Sequence, residues 1–336
     1  MATLNFYGEP CKAHSSEARE PCLPAGRSDL FREVGMYLRD YLVRAVTPEG
    51  LGAVAAITTN LVEEARRKHR TYPTATAALG RTLTAGVLMG SLLQPPQKLT
   101  IQILCNGPLE EIVVEADAMG NVRGFVRRPH IHLPIRGGKL DVARAMGKEG
   151  VLCVVKDLGL KEPYTGCVPL ISGEIAKDIT HYFAVSEQQP SATVLGVMVD
   201  EDNSVKVAGG FLIQPVAGVS EEVIGEIEEN LKNLPSCSQL LLEEKTPEGM
   251  LQKVLKGFTL NINQIKNIQF KCRCSKEKCR EALIALGIKE VEDMLFKKRE
   301  VEMWCNFCNE EYVFSLLELR DILTEVKRRK GLHKIH

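Results

Sequence analysis

The sequence predicts an α+β protein: an amino-terminal domain of antiparallel sheets with packed helices, an all-helical acidic stretch, and a small carboxy-terminal domain rich in cysteine. Three observations carry this expectation. Helix-period segments come first and a series of short strand-like runs follows them, the pattern of helices laid on antiparallel sheets. Two amphipathic helical segments succeed the strands. Finally, five of the 11 cysteines fall between Cys272 and Cys308. With 336 residues, 44% of them apolar, the chain has the material for a sizeable core, which excludes a mostly disordered protein.

Residues 1–35 are polar, contain Pro and Gly, and show no periodicity, so they are expected to be a disordered extension ahead of Met36. They lack the charged start and apolar core of a signal peptide. Their acids, Glu9, Glu17, Glu20, Asp29 and Glu33, argue against an organelle transit peptide. Residues 50–69 read as a helix, with Leu51, Val54, Ile57, Leu61, Val62 and Ala65 at helical spacing, broken at Tyr72-Pro73. A second helix over 75–93 is apolar most of the way round, which predicts burial, and Gly86 and Gly90 suit close packing. Strands are expected at Leu99–Leu104, Ile112–Ala116, Val122–Val126, Val151–Lys156, Cys167–Ile171, His181–Ser186, Thr193–Val199 and Val205–Ile213, with a short helix at Ser172–Asp178.

Ser220 reads as an N-cap followed by Glu221 and Glu222, where the helix dipole favours acids. Val223, Ile224, Ile227, Leu231 and Leu234 then form one apolar stripe, ended by Pro235. Thr246-Pro247 opens another helix with Met250, Leu251, Val254 and Leu255 facing inward. Between Glu221 and Glu248 there are eight acids and two lysines. These suit either solvated helix faces or an amphipathic connector covering an apolar surface.

Lys plus Arg equals Asp plus Glu at 43 each, which argues against a protein held to nucleic acid by bulk positive charge. No apolar run reaches the roughly 18 residues of a spanning helix, so no membrane partner is expected. An odd number of scattered thiols argues against a secreted disulfide framework and points to a reducing cytoplasm, where clustered cysteines mean metal or redox chemistry.

That chemistry concentrates in Cys272-Arg273-Cys274 and, 30 residues later, Cys305-Asn306-Phe307-Cys308. Two close pairs of thiols suit one tetrahedral zinc ion, each pair supplying two ligands from one turn. Cys279 is a fifth thiol that such a site does not need. Lys271, Arg273, Lys276, Lys278 and Arg280 surround the first pair and would favour thiolates. Phe270, Trp304, Phe307, Tyr312 and Phe314 read as the mini-core of this module, or as stacking groups in a zinc-ribbon nucleic-acid-binding protein. A thiol oxidoreductase using Cys305 and Cys308 lacks the βαβ context such a motif needs. His130-Ile131-His132 reads as solvated. Gly137-Gly138-Lys139 is not a phosphate loop, and no nucleophile stands with its base, so no enzyme is expected. Cys105, Cys153 and Cys167 lie in apolar strand patterns and are expected to be small buried hydrophobes, outside any switch, as is Cys237.

Several blocks resemble the heat-shock 33 kDa chaperonin family: Asp40–Ala45, Pro73–Arg81, Lys156–Tyr164, Gly173–Ala176, Ala208–Phe211, and the closing cysteine set. The resemblance spans roughly Met36 to Leu323. It implies a redox-regulated, ATP-independent holdase with a chaperone core over 36–218, a helical linker over 219–268 and a zinc-binding redox-switch domain over 269–336. It implies one zinc per reduced chain on Cys272, Cys274, Cys305 and Cys308, in an inactive state. Oxidation would form the disulfides Cys272–Cys274 and Cys305–Cys308, release zinc, unfold the linker, expose a surface for unfolded or partly unfolded client proteins, and give homodimers. The extension and Cys279 depart from the family pattern.

Overall fold

The computed structural model describes residues 39–297 and 300–332; the extension expected over residues 1–35 lies outside the described residues. Strands β1 (Tyr41–Val46) and β2 (Leu51–Ile57) form an antiparallel hairpin whose turn needs Gly50 at φ +92°. Helices α1 (Thr59–His69) and α2 (Pro73–Gly90) follow, then the meander β3 (Lys98–Cys105), β4 (Glu111–Asp117) and β5 (Asn121–Val126). Next come α3 (Val142–Met146), β6 (Gly150–Asp157), β7 (Tyr164–Pro169), α4 (Ile175–Val185), β8 (Ala192–Val199) and β9 (Val205–Pro215). Helices α5 (Glu221–Lys232), α6 (Cys237–Glu244) and α7 (Pro247–Val254) lead to β10 (Asn261–Asn267) and β11 (Gln269–Phe270). The chain closes with α8 (Lys276–Leu286), α9 (Ile288–Lys297), the hairpin β12 (Glu300–Trp304) and β13 (Glu311–Ser315), and α10 (Leu316–Leu332).

Two sheets organise the body. One has the order β10-β1-β2-β9-β8 and the other β11-β5-β4-β3-β6-β7. Helix α2 lies between them, which is why it is apolar all round. A Cβ at Gly80 would meet Val62 and Val197 at 2.6 and 3.0 Å, and one at Gly86 would meet Val114 at 2.8 Å, so these glycines set how closely the helix approaches its neighbours. Leu42, Val54, Ala56, Ala208 and Leu212 of the first sheet share this core with Ile101, Ile103, Ile112 and Val114 of the second.

The other face of the five-stranded sheet is also buried. Tyr41, Val43, Ala45, Ala53, Ala55, Phe211 and Ile213 share a core with Leu240 and Leu241 of α6 and with Met250, Leu251 and Val254 of α7, and Ile227 of α5 joins the same cluster beside α7. Ser220 and Thr246 cap α5 and α7 as expected, accepting from Val223 N–H and Gly249 N–H. Tyr41 donates its hydroxyl to Glu248 across the contact, 2.8 Å. The acidic helices therefore have both properties: solvated outer faces and an apolar inner face laid over a sheet.

Four expectations are corrected here. Residues 50–69 are not one helix. Leu51–Ile57 is a central strand buried on both faces, so its apolar run is continuous and mimics a helical stripe. His181–Ser186 is not a strand: Ile175, Ile179, Tyr182 and Phe183 lie on the buried face of α4, which also absorbs the short helix expected at Ser172–Asp178. Helix α6 adds a third helix to the two expected in the acidic stretch, with Ser236 and Gln239 forming a capping box at its start. The stretch read as helical through residue 268 ends as a strand, β10, paired with β1 from Tyr41↔Asn267 to Val46↔Asn261.

Candidate metal centre

Each cysteine pair sits in a turn built by its neighbours. Cys272 and Cys274 follow β11 and precede α8, whose N-cap Ser275 accepts from Lys278 N–H. Cys305 and Cys308 lie in the β12–β13 turn. There Cys305 N–H donates to Glu310 C=O, while Cys308 and Asn309 N–H donate to Cys305 C=O, with Asn309 at φ +56°. The hairpin folds back on α8 and α10 around a small core of Leu283, Val291, Val301, Phe314, Leu319 and Ile322. This return brings the two turns together.

The four Sγ atoms all lie within 4.8 Å of one another. Cys272 and Cys305 approach to 3.6 Å and Cys274 and Cys308 to 3.3 Å, so contacts run across the pairs. Four thiolates on zinc at about 2.3 Å stand roughly 3.8 Å apart, so the donor set fits a tetrahedral metal. Cys279 stays outside the cluster and packs against the small core of the module.

The surroundings treat the thiols unequally. Burial raises the Cys272 thiol, but hydrogen bonds from Cys274 N–H and the Arg123 guanidinium outweigh it and bring the pKa to about 7. Burial pushes Cys308 and Cys305 up. A bound divalent cation would hold all four as thiolates and so overcome that burial cost. Tyr312 donates its hydroxyl to Cys274 Sγ at 3.1 Å, and Arg123 donates to Cys272 Sγ at 3.5 Å. Such outer groups orient metal ligands.

The basic residues around the first pair act differently from expectation. Arg273 pairs with Asp117, Lys276 with Glu318 at 2.5 Å, and Lys278 donates to Arg273 C=O. Among the described residues, the cation that reaches a sulfur of the cluster is Arg123, from β5, 149 residues earlier in the chain, a relation no local pattern could disclose. The aromatics also divide. Phe314 and Tyr312 join the module's core, Phe270 joins the main core, and Trp304 is 53% exposed. Phe307 stacks edge-on against Phe125, ring centroids 5.5 Å apart, beneath the Arg123 guanidinium at 4.1 Å.

The module is thus docked on the six-stranded sheet. Strand β11 pairs parallel to β5, Lys271 N–H donates to Val122 C=O, and His69 Nε2 lies 3.0 Å from the Phe307 carbonyl oxygen. Arg123→Ala removes the bond to sulfur, the stack on Phe307 and the ion pair with Glu115 at once. A charged hydrogen bond contributes about 1.5–3 kcal/mol. The variant is expected to stay folded but exchange the amide hydrogens of residues 269–272 roughly ten-fold faster or more. Unchanged exchange there would show that Arg123 does not hold the module.

The remaining candidates fall away from the site. His130 and His132 lie in a loop, the His130 ring against Tyr72 and His132 Nδ1 3.2 Å from the Thr74 hydroxyl. Cys237 is buried under Gly196, and burial pushes its thiol up to about 12, in keeping with a packing role. Cys153 and Cys167 are not buried hydrophobes. They face each other from β6 and β7 on the outer face of the sheet, Cys167 exposed, and are joined by a disulfide. The alternation that buries Leu152, Val154 and Val168 turns both thiols outward.

Fold and site together define a two-sheet α+β domain carrying a docked module whose four clustered cysteines could hold a metal ion. The family model described as Hsp33 protein matches residues 40–315. The chain is similar to the 33 kDa chaperonin of Geobacillus kaustophilus, 47% identical over 291 residues, covering 86% of this chain and 99% of that protein. It is 47% identical over 294 residues to the 33 kDa chaperonin of Desulforamulus reducens, covering 87% and 100%. The crystal structure of the 33 kDa chaperonin of Thermotoga maritima superposes with a TM-score of 0.80 at 40% identity, covering 85% of this chain and 98% of that one. The chain belongs to the Hsp33 family.

Proposed function

We propose that this protein is a redox-switched, ATP-independent holdase whose sensor is the four-cysteine centre. Membership of the Hsp33 family makes it a chaperone and not an enzyme. The observation that carries the switch is the linkage of two features. Four thiols converge within 4.8 Å in a module with little core of its own, and the chain leading into that module covers an apolar sheet face. Zinc is the proposed occupant, one per chain, because four thiolates in tetrahedral reach suit it. Binding such an ion is also folding free energy, on the order of 10–16 kcal/mol in zinc-finger peptides. Oxidation of the ligands removes that contribution, the module loosens, and α5, α6, α7 and β10 lose their anchor.

The surface then exposed would receive unfolding clients: Tyr41, Val43, Ala53, Ala55, Phe211 and Ile213 lie beneath the helices. Departure of β10 would also leave β1 as an open sheet edge, which suits the proposed homodimer of the oxidised form. The final disulfides are proposed as Cys272–Cys274 and Cys305–Cys308. The four sulfurs lie within 4.8 Å of one another, so once the metal leaves, bridging within each pair needs only a local rearrangement. A reducing cytoplasm is the compartment in which such a centre stays loaded. No helix among the described residues is long and apolar enough to cross a membrane.

The test is aggregation suppression on a thermally unfolding client, with zinc release followed by a chromogenic chelator and disulfides mapped by mass spectrometry. Reduced, zinc-loaded protein should be inert. Peroxide with mild heat should release one zinc per chain and switch on holding together. Equal holding before and after oxidation would refute the switch, and bridges Cys272–Cys305 and Cys274–Cys308 would refute the pairing.

A further inference from the structure

Cys153 and Cys167 lie outside the metal centre and belong to no part of the switch described above. They are directly opposed in the β6–β7 ladder, Cα atoms 4.1 Å apart, with their sulfurs bonded. Strand β7 ends the sheet, so it is paired on one side. Cys153 is half-buried and Cys167 is exposed on that edge. Along the same outer face the register runs Cys167, Cys153, Gln102, Val113 and Phe125, and Phe125 is the ring that seats Phe307. The thiol pair and the metal module thus sit on one sheet surface, with two intervening strands between Cys153 and the docking ring.

We propose that Cys153 and Cys167 are a second, metal-free redox couple of this protein, a reversible dithiol–disulfide that exchanges with small thiols and disulfides while the metal centre stays assembled. Three features support this. The two sulfurs are in bonding position in the folded state, so closure needs no unfolding. Cys167 can be reached from solvent, so an external thiolate has a sulfur to attack. Neither sulfur belongs to the metal-binding group, so oxidation here displaces no ligand.

For reduction, the thiolate of a small thiol attacks Cys167 Sγ and the Cys153–Cys167 bond breaks. Cys153 leaves as thiolate and takes a proton, and a mixed disulfide forms on Cys167. A second small thiolate attacks the small-molecule sulfur of that mixed disulfide and frees Cys167, giving one small-molecule disulfide and two protein thiols. Oxidation by a small-molecule disulfide is the reverse, with Cys153 thiolate attacking the mixed disulfide at Cys167. The bond ties the edge strand to its neighbour, and reduction releases that tie.

The experiment uses the full-length, zinc-loaded protein equilibrated in glutathione buffers of graded reduced-to-oxidised ratio. Samples are acid-quenched and alkylated in denaturant, each cysteine is read by mass spectrometry, and zinc release is followed in parallel. The expected result is that Cys153 and Cys167 become protected together, return together on added reduced glutathione, and do so at ratios where zinc is retained. Cys167→Ser should leave Cys153 fully alkylated at those ratios without changing zinc release. Three results would overturn the proposal: both thiols alkylated at every ratio, protection that appears only as zinc leaves, or a bond that the most reducing buffer opens only after denaturation.

Discussion

Reduced, zinc-loaded Ile227→Asp should hold an unfolding client that the parent protein ignores. Ile227 is 6% exposed and is the buried residue of α5, while Val223, Leu231 and Leu234 are half-buried around it. Burying an isoleucine contributes about 1.5–3 kcal/mol, and an unpaired carboxylate in its place costs several more. Helix α5 has little else to resist with, whereas α7 and the residue after it contribute Met250, Leu251, Val254 and Leu255, each at most 1% exposed. The substitution should therefore lift α5 and leave α7 seated. Leu251→Asp should expose more of the sheet and hold more client than Ile227→Asp. If reduced Ile227→Asp stays folded and lets the client aggregate as the parent does, the helices are not the cover, and metal loss must reach the client surface by another route.

Stripping the metal should unfold the carboxy-terminal module and spare the body. Among the described residues, the module's own buried apolar core is eight side chains, Leu283, Ile284, Val291, Val301, Phe314, Leu319, Ile322 and Val326. Against that small core, a structural zinc contributes on the order of 10–16 kcal/mol. A strong chelator applied to reduced protein, or the double substitution Cys305→Ser with Cys308→Ser, should remove the helical circular-dichroism signal of α8, α9 and α10. Limited proteolysis should then cut between residues 219 and 332, across the module and the helices it anchors, while a fragment containing residues 39–215 persists. Retention of the full helical signal after metal removal would show that the module folds on its apolar core alone.

The four-cysteine cluster is legible in the sequence because the spacing within each pair is a local property. Cys272 with Cys274 and Cys305 with Cys308 each lie within one turn, and a tetrahedral ion asks for two such turns. The caps at Ser220 and Thr246 and the inward stripe of α7 are legible for the same reason: each depends on residues within two helical turns. Helix α2 declares its burial through its composition. Sequence and fold part company where burial on two sides erases the period. Leu51–Ile57 touches the inter-sheet core through Val54 and Ala56 and the linker helices through Ala53 and Ala55, so no alternation survives to mark a strand.

Three further features are settled by long-range pairing and by nothing local. Arg123 meets Cys272 because β11 adds to the sheet beside β5, joining positions 149 apart in sequence. Strand β10 belongs to the body because β1 offers it an edge, although its own residues are mostly polar and exposed. Cys153 and Cys167 become a pair because β6 and β7 are in register and the pleat turns both outward. Spacing, capping and composition determined the four-cysteine set, the helix ends and the α+β class. Strand register decided which distant side chains meet, since a shift of one residue would turn each of those side chains to the other face.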